Sequence, residues 1–390
     1  MSAAFLLHAS GYALLALAAA GALYTLAAAW LVGRYRAGPH PPHAEAPAVT
    51  ILKPLYGAEP ALAANLATFL AQDYAGAVQM VCGVAASKDP AVTAVEALRA
   101  AHPGADIALV ADPATHGANA KISNLSNMMA AARHDLLVLS DSDMAVAPDY
   151  LARVTGALER PGVGAVTCLY HGRGQAGFWS RLAAAGIDWH FLPSVALGVA
   201  LGRARPCMGS TIALHRDTLE RIGGFPRFAD ILADDHAIGA AVRGLGLTVT
   251  VPPMLVAHSC AETSLLALAH HELRWLATVR GLDPVGYAGS VVTHPLPLAL
   301  LGAALAGTSP APLALLALLA AALAARLILA YRVGRIASER PVSLWLLPLR
   351  DMLSFLLFGI AFGVRSVDWR GSRLHMQAKG RLAAQTRSFD

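Results

Sequence analysis

Charge is scarce in this sequence. Of its 390 residues only 14% are Asp, Glu, Lys or Arg while 56% are hydrophobic, a balance too apolar for an ordinary soluble chain and suited to a membrane protein. Cysteine is scarce as well. Cys82, Cys168, Cys207 and Cys260 lie far apart with no C-x-x-C pair, which argues against zinc and against a disulfide framework and leaves them as reduced, buried small hydrophobes. Two phosphate-binding signatures are missing. Lys53-Pro54-Leu55-Tyr56-Gly57 stands where a dinucleotide fold would carry its glycine-rich fingerprint, and no P-loop pattern occurs. The net charge is +5, but the basic residues sit beside apolar runs, not along a stripe interleaved with aromatics. An anionic membrane surface accounts for them better than nucleic acid does.

One short run organises what is present. Leu136-Leu137-Val138-Leu139 is apolar at successive positions, as a strand buried on both faces of a helix-covered parallel sheet is, and it leads into Ser140-Asp141-Ser142-Asp143. Ligands bind outside the C-terminal edge of such sheets. In an extended chain residues i and i+2 point the same way, so Asp141 and Asp143 would face one bound cation. Two hard oxygen ligands without a nearby Cys or His select Mg²⁺ or Mn²⁺, the ions that bridge diphosphates. Upstream, strand patterns at 49–52, 78–84 and 107–110 alternate with helix patterns at 62–72, 91–101 and 121–133. That alternation predicts βαβ units and a mostly parallel sheet.

The ends of the chain are apolar. Residues 3–32 are long enough to cross a bilayer, and their length and lack of a basic leader argue against a signal peptide. Arg34 and Arg36 follow, placing the next segment on the cytoplasmic side. A linker, Gly38-Pro39-His40-Pro41-Pro42, is too proline-rich for regular structure. Runs at 291–306 and 312–331 form a hairpin joined by Gly307-Thr308-Ser309-Pro310 and followed by Arg332, Arg335 and Arg340. The run 343–364 is interrupted by Arg350-Asp351, and a full crossing would put Arg365, Arg370, Arg373, Lys379 and Arg381 outside. It is therefore expected to be interfacial or re-entrant, with a cytoplasmic tail. The stretch 176–205, with Phe178-Trp179 and Trp189-His190-Phe191, reads either as a bilayer-facing access route for a lipid or as a buried helix pair.

The segments Leu52-Lys53-Pro54-Leu55, Asn65-Leu66, Asp73-Tyr74, Lys88-Asp89-Pro90, Gly117-Ala118-Asn119-Ala120-Lys121, Asn124-Leu125, Ser140-Asp141-Ser142-Asp143, Leu232-Ala233-Asp234-Asp235 and Arg274-Trp275 stand in an order that resembles the ceramide glucosyltransferase family. The likeness is strong over about 49–294 and loose in the terminal membrane parts. Within the family, His271-Glu272-Leu273-Arg274-Trp275 and the stretch from Asp283-Pro284 to His294-Pro295-Leu296-Pro297 are most similar to bacterial hopanoid-biosynthesis glycosyltransferases.

The resemblance implies an α/β GT-A fold, a Rossmann-like mixed sheet with flanking transmembrane helices. It implies an inverting, UDP-sugar-dependent hexosyltransferase using Mg²⁺ or Mn²⁺, multi-pass in a bacterial inner membrane, with its catalytic part in the cytoplasm. The implied layout is a transmembrane helix at 1–33, a linker at 34–48, the GT-A domain at 49–285 and membrane elements with a basic tail at 286–390. By resemblance Asp89 contacts the uracil, Lys121 lies near the nucleotide, Asp141 faces ribose and metal, and Asp143 holds metal and diphosphate. Asp235 matches the catalytic base, and His271, Arg274 and Trp275 match a donor-binding motif that usually opens with Gln or Arg. The implied reaction moves N-acetylglucosamine or a related hexose to a hopanoid such as bacteriohopanetetrol. Ceramide glucosylation is the alternative; a polysaccharide synthase is disfavoured by the few spans and by His271.

Plainer readings exist for each residue taken alone. Asp89 suits a helix start, Lys121 a solvated helix position, and Asp234-Asp235 an acidic first turn. Arg274-Trp275 suits cation–π packing. His171 and His258 read as hydrogen-bonded structural histidines.

Overall fold

The computed structural model describes residues 3–36, 38, 46–307, 311–337 and 343–364, together with 366–369, 372–376 and 382–384. Six consecutive buried residues make β1 (Val49–Pro54), from which the main sheet is laid out. β2 (Val78–Val84) and β3 (Asp106–Ala111) extend it on one side and β4 (Leu136–Leu139) on the other, all parallel. The direction then reverses. β8 (Ile212–His215) runs antiparallel to β4, followed by β6 (Val163–Val166) and β9 (Thr248–Thr250), in the order β3-β2-β1-β4-β8-β6-β9. Both faces are covered, which is why the strands are continuous apolar runs. Ile51, Met80 and Val138 face one core with Leu66, Phe69 and Val95, while Leu52, Val81 and Leu137 face another with Ile122, Leu125 and Ile238.

Helices α2 (Leu62–Leu70), α3 (Ala91–Ala101), α4 (Ala120–Met128) and α5 (Tyr150–Leu158) connect these strands. α4 stops short of the predicted 121–133 because the chain is pulled back to the sheet. Arg133 N–H donates to Gln79 Oε1 at 2.9 Å and His134 N–H to Thr50 Oγ1 at 3.1 Å. A second sheet, β5 (Met144–Ala145), β10 (Leu255–Cys260) and β7 (Leu169–Gly174), begins just past the end of β4.

The stretch 176–205 is a helix with an embedded π turn: α6 (Phe178–Gly186), the π turn Ile187–Phe191, and α7 (Leu192–Ala200). Most of it is buried against β7 and against α1 (Ala3–Leu31). Then come α8 (Arg216–Arg221), α9 (Asp234–Gly244), α10 (Leu265–Leu282), α11 (Pro284–Gly289), α12 (Pro295–Ala306), α13 (Pro312–Ala337) and α14 (Leu347–Ala361). A small meander, β11 (Ser366–Trp369), β12 (Ser372–Met376) and β13 (Leu382–Ala384), follows.

Among the described residues four helical stretches are long and apolar enough to cross a membrane: Phe5–Tyr35, Phe178–Ala200, Pro312–Ala337 and Leu344–Ala361. A bent pair, Pro284–Thr293 with Pro295–Ala306, breaks by 77°. The charges expected to interrupt the run 343–364, Arg350 and Asp351, lie within a continuous α14. Asp351 is fully buried on Arg326 of α13 at 2.7 Å, and Arg350 is buried on Glu272 of α10 at 2.7 Å. Paired charges of this kind are tolerated inside helical bundles. The hairpin residues Thr308-Ser309-Pro310, linker residues 39–42, Arg340, and the tail residues Arg365, Arg370, Lys379 and Arg381 lie outside the described residues.

Candidate active site

The β4 ladder ends where Ser140 N–H reaches Leu52 O at 3.1 Å, and the chain then turns. The strand expected to continue through 141–143 gives way to a turn at Ser142-Asp143, and the two carboxylates have different protein partners. Asp141 meets Lys121 Nζ at 2.7 Å, and Asp143 Oδ2 meets His258 Nε2 at 3.2 Å. Two neighbours shape the turn. Lys53, wholly buried on β1 with its ammonium 3.3 Å from the centre of the Phe69 ring, donates to Ser140 Oγ and to the Asp141 carbonyl, both at 3.0 Å. β5 follows at once and pairs antiparallel with β10, which stands His258 opposite Met144. Ser259 N–H then donates to the Asp143 carbonyl at 2.8 Å.

Lys121 links this turn to a second acidic pair. Its Nζ lies 3.5 Å from Asp234 Oδ2, and the helix-capping Asn119 donates to Asp234 Oδ1 at 3.2 Å. Gly209 closes the circuit. Its carbonyl accepts from Asp141 N–H at 2.9 Å and its N–H donates to Asp235 Oδ2 at 3.2 Å. A Cβ on Gly209 would lie 2.3 Å from Asp141 Oδ2, so only glycine lets the backbone pass between the two acids.

The charges are tuned by this crowding. Burial works against the Lys121 ammonium, but Asp141, Asp234 and Asp235 outweigh it and hold its pKa above the ordinary lysine value. Burial pushes Lys53 down to about 7, opposed by Asp141 and Asp143. Burial and the neighbouring Asp234 raise Asp235 to about 6, against the pull of Lys121. At Asp143 burial is overcome by His258, then His271 and Lys53, and the carboxyl is drawn down to about 2. Conversely Asp143 holds His258 well above the ordinary imidazole range despite its burial. Asp143 Oδ1 is buried with no protein partner. No group of three or more His, Cys, Asp or Glu among the described residues could hold a metal by itself.

The other expected residues divide. Asp89 does what a helix-start residue does: its Oδ1 accepts from Ala91 N–H and from Gly57 N–H, both at 2.9 Å. Beside it, at the C-terminal ends of β2 and β3, a cavity of about 320 Å³ is lined by Ala85, Ala86, Ser87, Lys88, Ala111 and Pro113. Trp275 sits edge-on to His271 at 4.5 Å and to His258 at 5.7 Å, while Tyr170 stacks on His258 at 5.5 Å. His271 Nδ1 lies 2.5 Å from the buried Glu262 Oε1. Arg274 follows His271 by three residues on α10 and is half-buried.

Sequence reasoning gave no site role to Lys53, Gly209, His258 or Glu262. His258 reaches Asp143 through the pairing of β10 with β5, a contact 115 residues apart with no local pattern to announce it. Lys53 had a weak signal, a lysine inside a strand otherwise apolar on both faces.

A sheet whose parallel half delivers Asp141 and Asp143 beyond its C-terminal edge, where it meets an antiparallel half, is the GT-A-like fold. A mannosyltransferase from Pyrobaculum calidifontis, solved in complex with GDP-Man and Mn²⁺, has this fold, with a TM-score of 0.52 at 24% identity over 90% of this chain and 99% of that one. The chain belongs to glycosyl transferase family 21, whose profile matches residues 13–382. It is 24% identical over 231 residues to Ceramide glucosyltransferase 1 of Caenorhabditis elegans, covering 59% of this chain and 49% of that protein. It is 32% identical over 126 residues to Ceramide glucosyltransferase of Komagataella phaffii, covering 31% of this chain and 24% of that one. The chain thus spans about half the length, or less, of the curated relatives it matches.

Proposed function

We propose that this protein moves N-acetylglucosamine or a related hexose from a UDP-sugar to the hydroxyl of a membrane lipid, with inversion at the anomeric carbon. The observation that carries the reading is the joining of Asp141, Asp234 and Asp235 by Lys121 and Gly209 at the edge of the sheet, two residues from Asp143 on the same turn. Asp143, with Oδ1 free of protein partners and its carboxyl drawn down to about 2, offers an oxygen to a divalent cation, with Asp141 as the second carboxylate of the turn. When bound with the donor, such an ion supplies Lewis-acid stabilisation of the departing diphosphate. Asp235 takes the proton of the acceptor hydroxyl; the oxygen attacks the anomeric carbon, the bond to the diphosphate breaks, and UDP leaves. Its pKa of about 6 suits a general base that is ionised at neutral pH yet basic enough to accept that proton. Arg274 and His271 lie on the helix that would meet the diphosphate, and Trp275 offers an apolar face beside them. The cavity beside Asp89 would take the nucleobase.

For the acceptor, His271-Glu272-Leu273-Arg274-Trp275 favours a hopanoid polyol. The curated relatives favour ceramide as the second reading. The helices able to cross a membrane, and Arg34 and Arg36 after the first, support a multi-pass protein of a bacterial inner membrane with residues 49–285 in the cytoplasm. Incubating the purified protein with UDP-sugars and GDP-mannose against bacteriohopanetetrol and ceramide, and weighing the products, tests both choices. Product from GDP-mannose alone overturns the donor; glycosylated ceramide without glycosylated hopanoid overturns the acceptor.

A further inference from the structure

The last apolar helix carries two adjacent charges with different partners. Asp351 is neutralised by Arg326 at 2.7 and 2.8 Å and lies 3.0 Å from His190. Arg350 turns away from it. Its Nη2 donates across the bundle to Glu272 Oε2 on α10 at 2.7 Å. Gly186, the last residue of α6, makes the room, since a Cβ there would lie 2.2 Å from Arg350 Nη2. Three helices therefore meet at one ion pair.

Stability alone does not account for this pair. Buried ion pairs are commonly no more stable than apolar side chains of the same shape. This guanidinium also leaves Nε and Nη1 buried without a protein acceptor, a cost that an apolar residue would avoid. What the pair does is fix a helix in rotation. Consecutive residues of α10 are about 100° apart around its axis, and here they are held from different sides: His271 by Glu262, Glu272 by Arg350. The same helix carries Arg274 and brings Trp275 against His258.

We propose that Arg350 is a positioning residue for sugar transfer, acting through Glu272 to set the rotation of α10 and so the placement of His271, Arg274 and Trp275. The inference rests on the function proposed above. Small misplacements of substrate-holding groups cost about 10 to 10²-fold in rate, and that is the loss expected in kcat for Arg350→Met and for Glu272→Gln. Each variant should also melt lower, because an unpaired charge is left behind. The double variant Arg350→Met/Glu272→Gln separates the roles. It should melt back near the wild type while transfer stays as slow as in the worse single variant.

Turnover that returns together with melting temperature in the double variant overturns the proposal, as does a wild-type rate in Arg350→Met. Should Arg350→Met fail to insert, Arg350→Lys and Glu272→Gln decide, and wild-type rates in both overturn it. Tyr287→Phe is the control. It removes a 2.8 Å bond to the Phe358 carbonyl on α14 without touching the motif, and it should transfer at the wild-type rate; a comparable loss there would show that any contact between α10–α11 and α14 suffices and would overturn the specific role of Arg350. Nucleotide-sugar binding, read by tryptophan fluorescence, distinguishes the two readings: a wild type that binds no nucleotide sugar defeats the proposed function, whereas binding and turnover unchanged in the Arg350 and Glu272 variants defeat the positioning role.

Discussion

At the scale of single residues the site works through carboxylates given different environments. Asp143 is held ionised by His258, and Asp235 is raised to about 6 by burial and Asp234. A raised carboxylate is ionised above its pKa and protonated below it. The rate of transfer, as kcat/KM, is therefore expected to fall about tenfold per pH unit below about pH 6. A pH profile flat to pH 5 would remove Asp235 as the base. Asp235→Asn keeps the shape and loses the basicity, so single-turnover transfer should slow by about 10² to 10⁴-fold with donor affinity nearly unchanged. Arg274→Ala should differ by weakening donor binding as well as rate, because a fork on the diphosphate strengthens as charge develops there. Asp143→Asn should abolish transfer while the protein still inserts, and excess chelator should do the same to the wild type until Mg²⁺ or Mn²⁺ is restored.

At the scale of elements, the turn after β4 is the part most exposed to small changes. It is gripped by Lys53 from inside the sheet, by β5 pairing with β10, and by Gly209 threading between Asp141 and Asp235. Gly209→Ala would drive a methyl to 2.3 Å from Asp141 Oδ2. Neither neighbour can yield freely, since Asp141 is held by Lys121 at 2.7 Å. Transfer is expected to fall by about 10²-fold or more with far-ultraviolet circular dichroism unchanged. A Gly209→Ala enzyme with wild-type turnover would mean that the two aspartates do not act as one unit.

At the scale of the whole molecule, the α/β part and the apolar helices are not independent. α1 packs along α12 and α13, the π turn supplies Trp189 O to Arg326 at 2.6 Å, and Phe191 stacks on Tyr170 at 4.7 Å, which in turn stacks on His258. Ring contacts and hydrogen bonds thus run from the buried Arg326–Asp351 pair to the neighbour of Asp143. Deleting residues 1–33 is expected to leave a chain that aggregates when extracted in detergent, because the apolar faces of α7, α12 and α13 lose their cover. Size-exclusion chromatography of the truncated protein checks this, and a monodisperse, active truncation would show that α1 is only an anchor.

Local pattern was enough for much of this. The apolar run at 136–139, the alternation of strands with helices, the spans at both ends and the buried free cysteines all follow from side-chain periodicity and composition, properties that neighbouring residues carry between them. The partners of Asp141 and Asp143, the arrival of His258 and Glu262, and the partners of Arg350 and Asp351 were decided only in three dimensions. Each depends on a long-range contact: β10 beside β5, α4 beside Gly209, α14 across α10 and α13. The reason is electrostatic. A buried charge must find an opposite partner, and which partner it finds is set by how sheets and helices pack, not by the residues next to it in the chain.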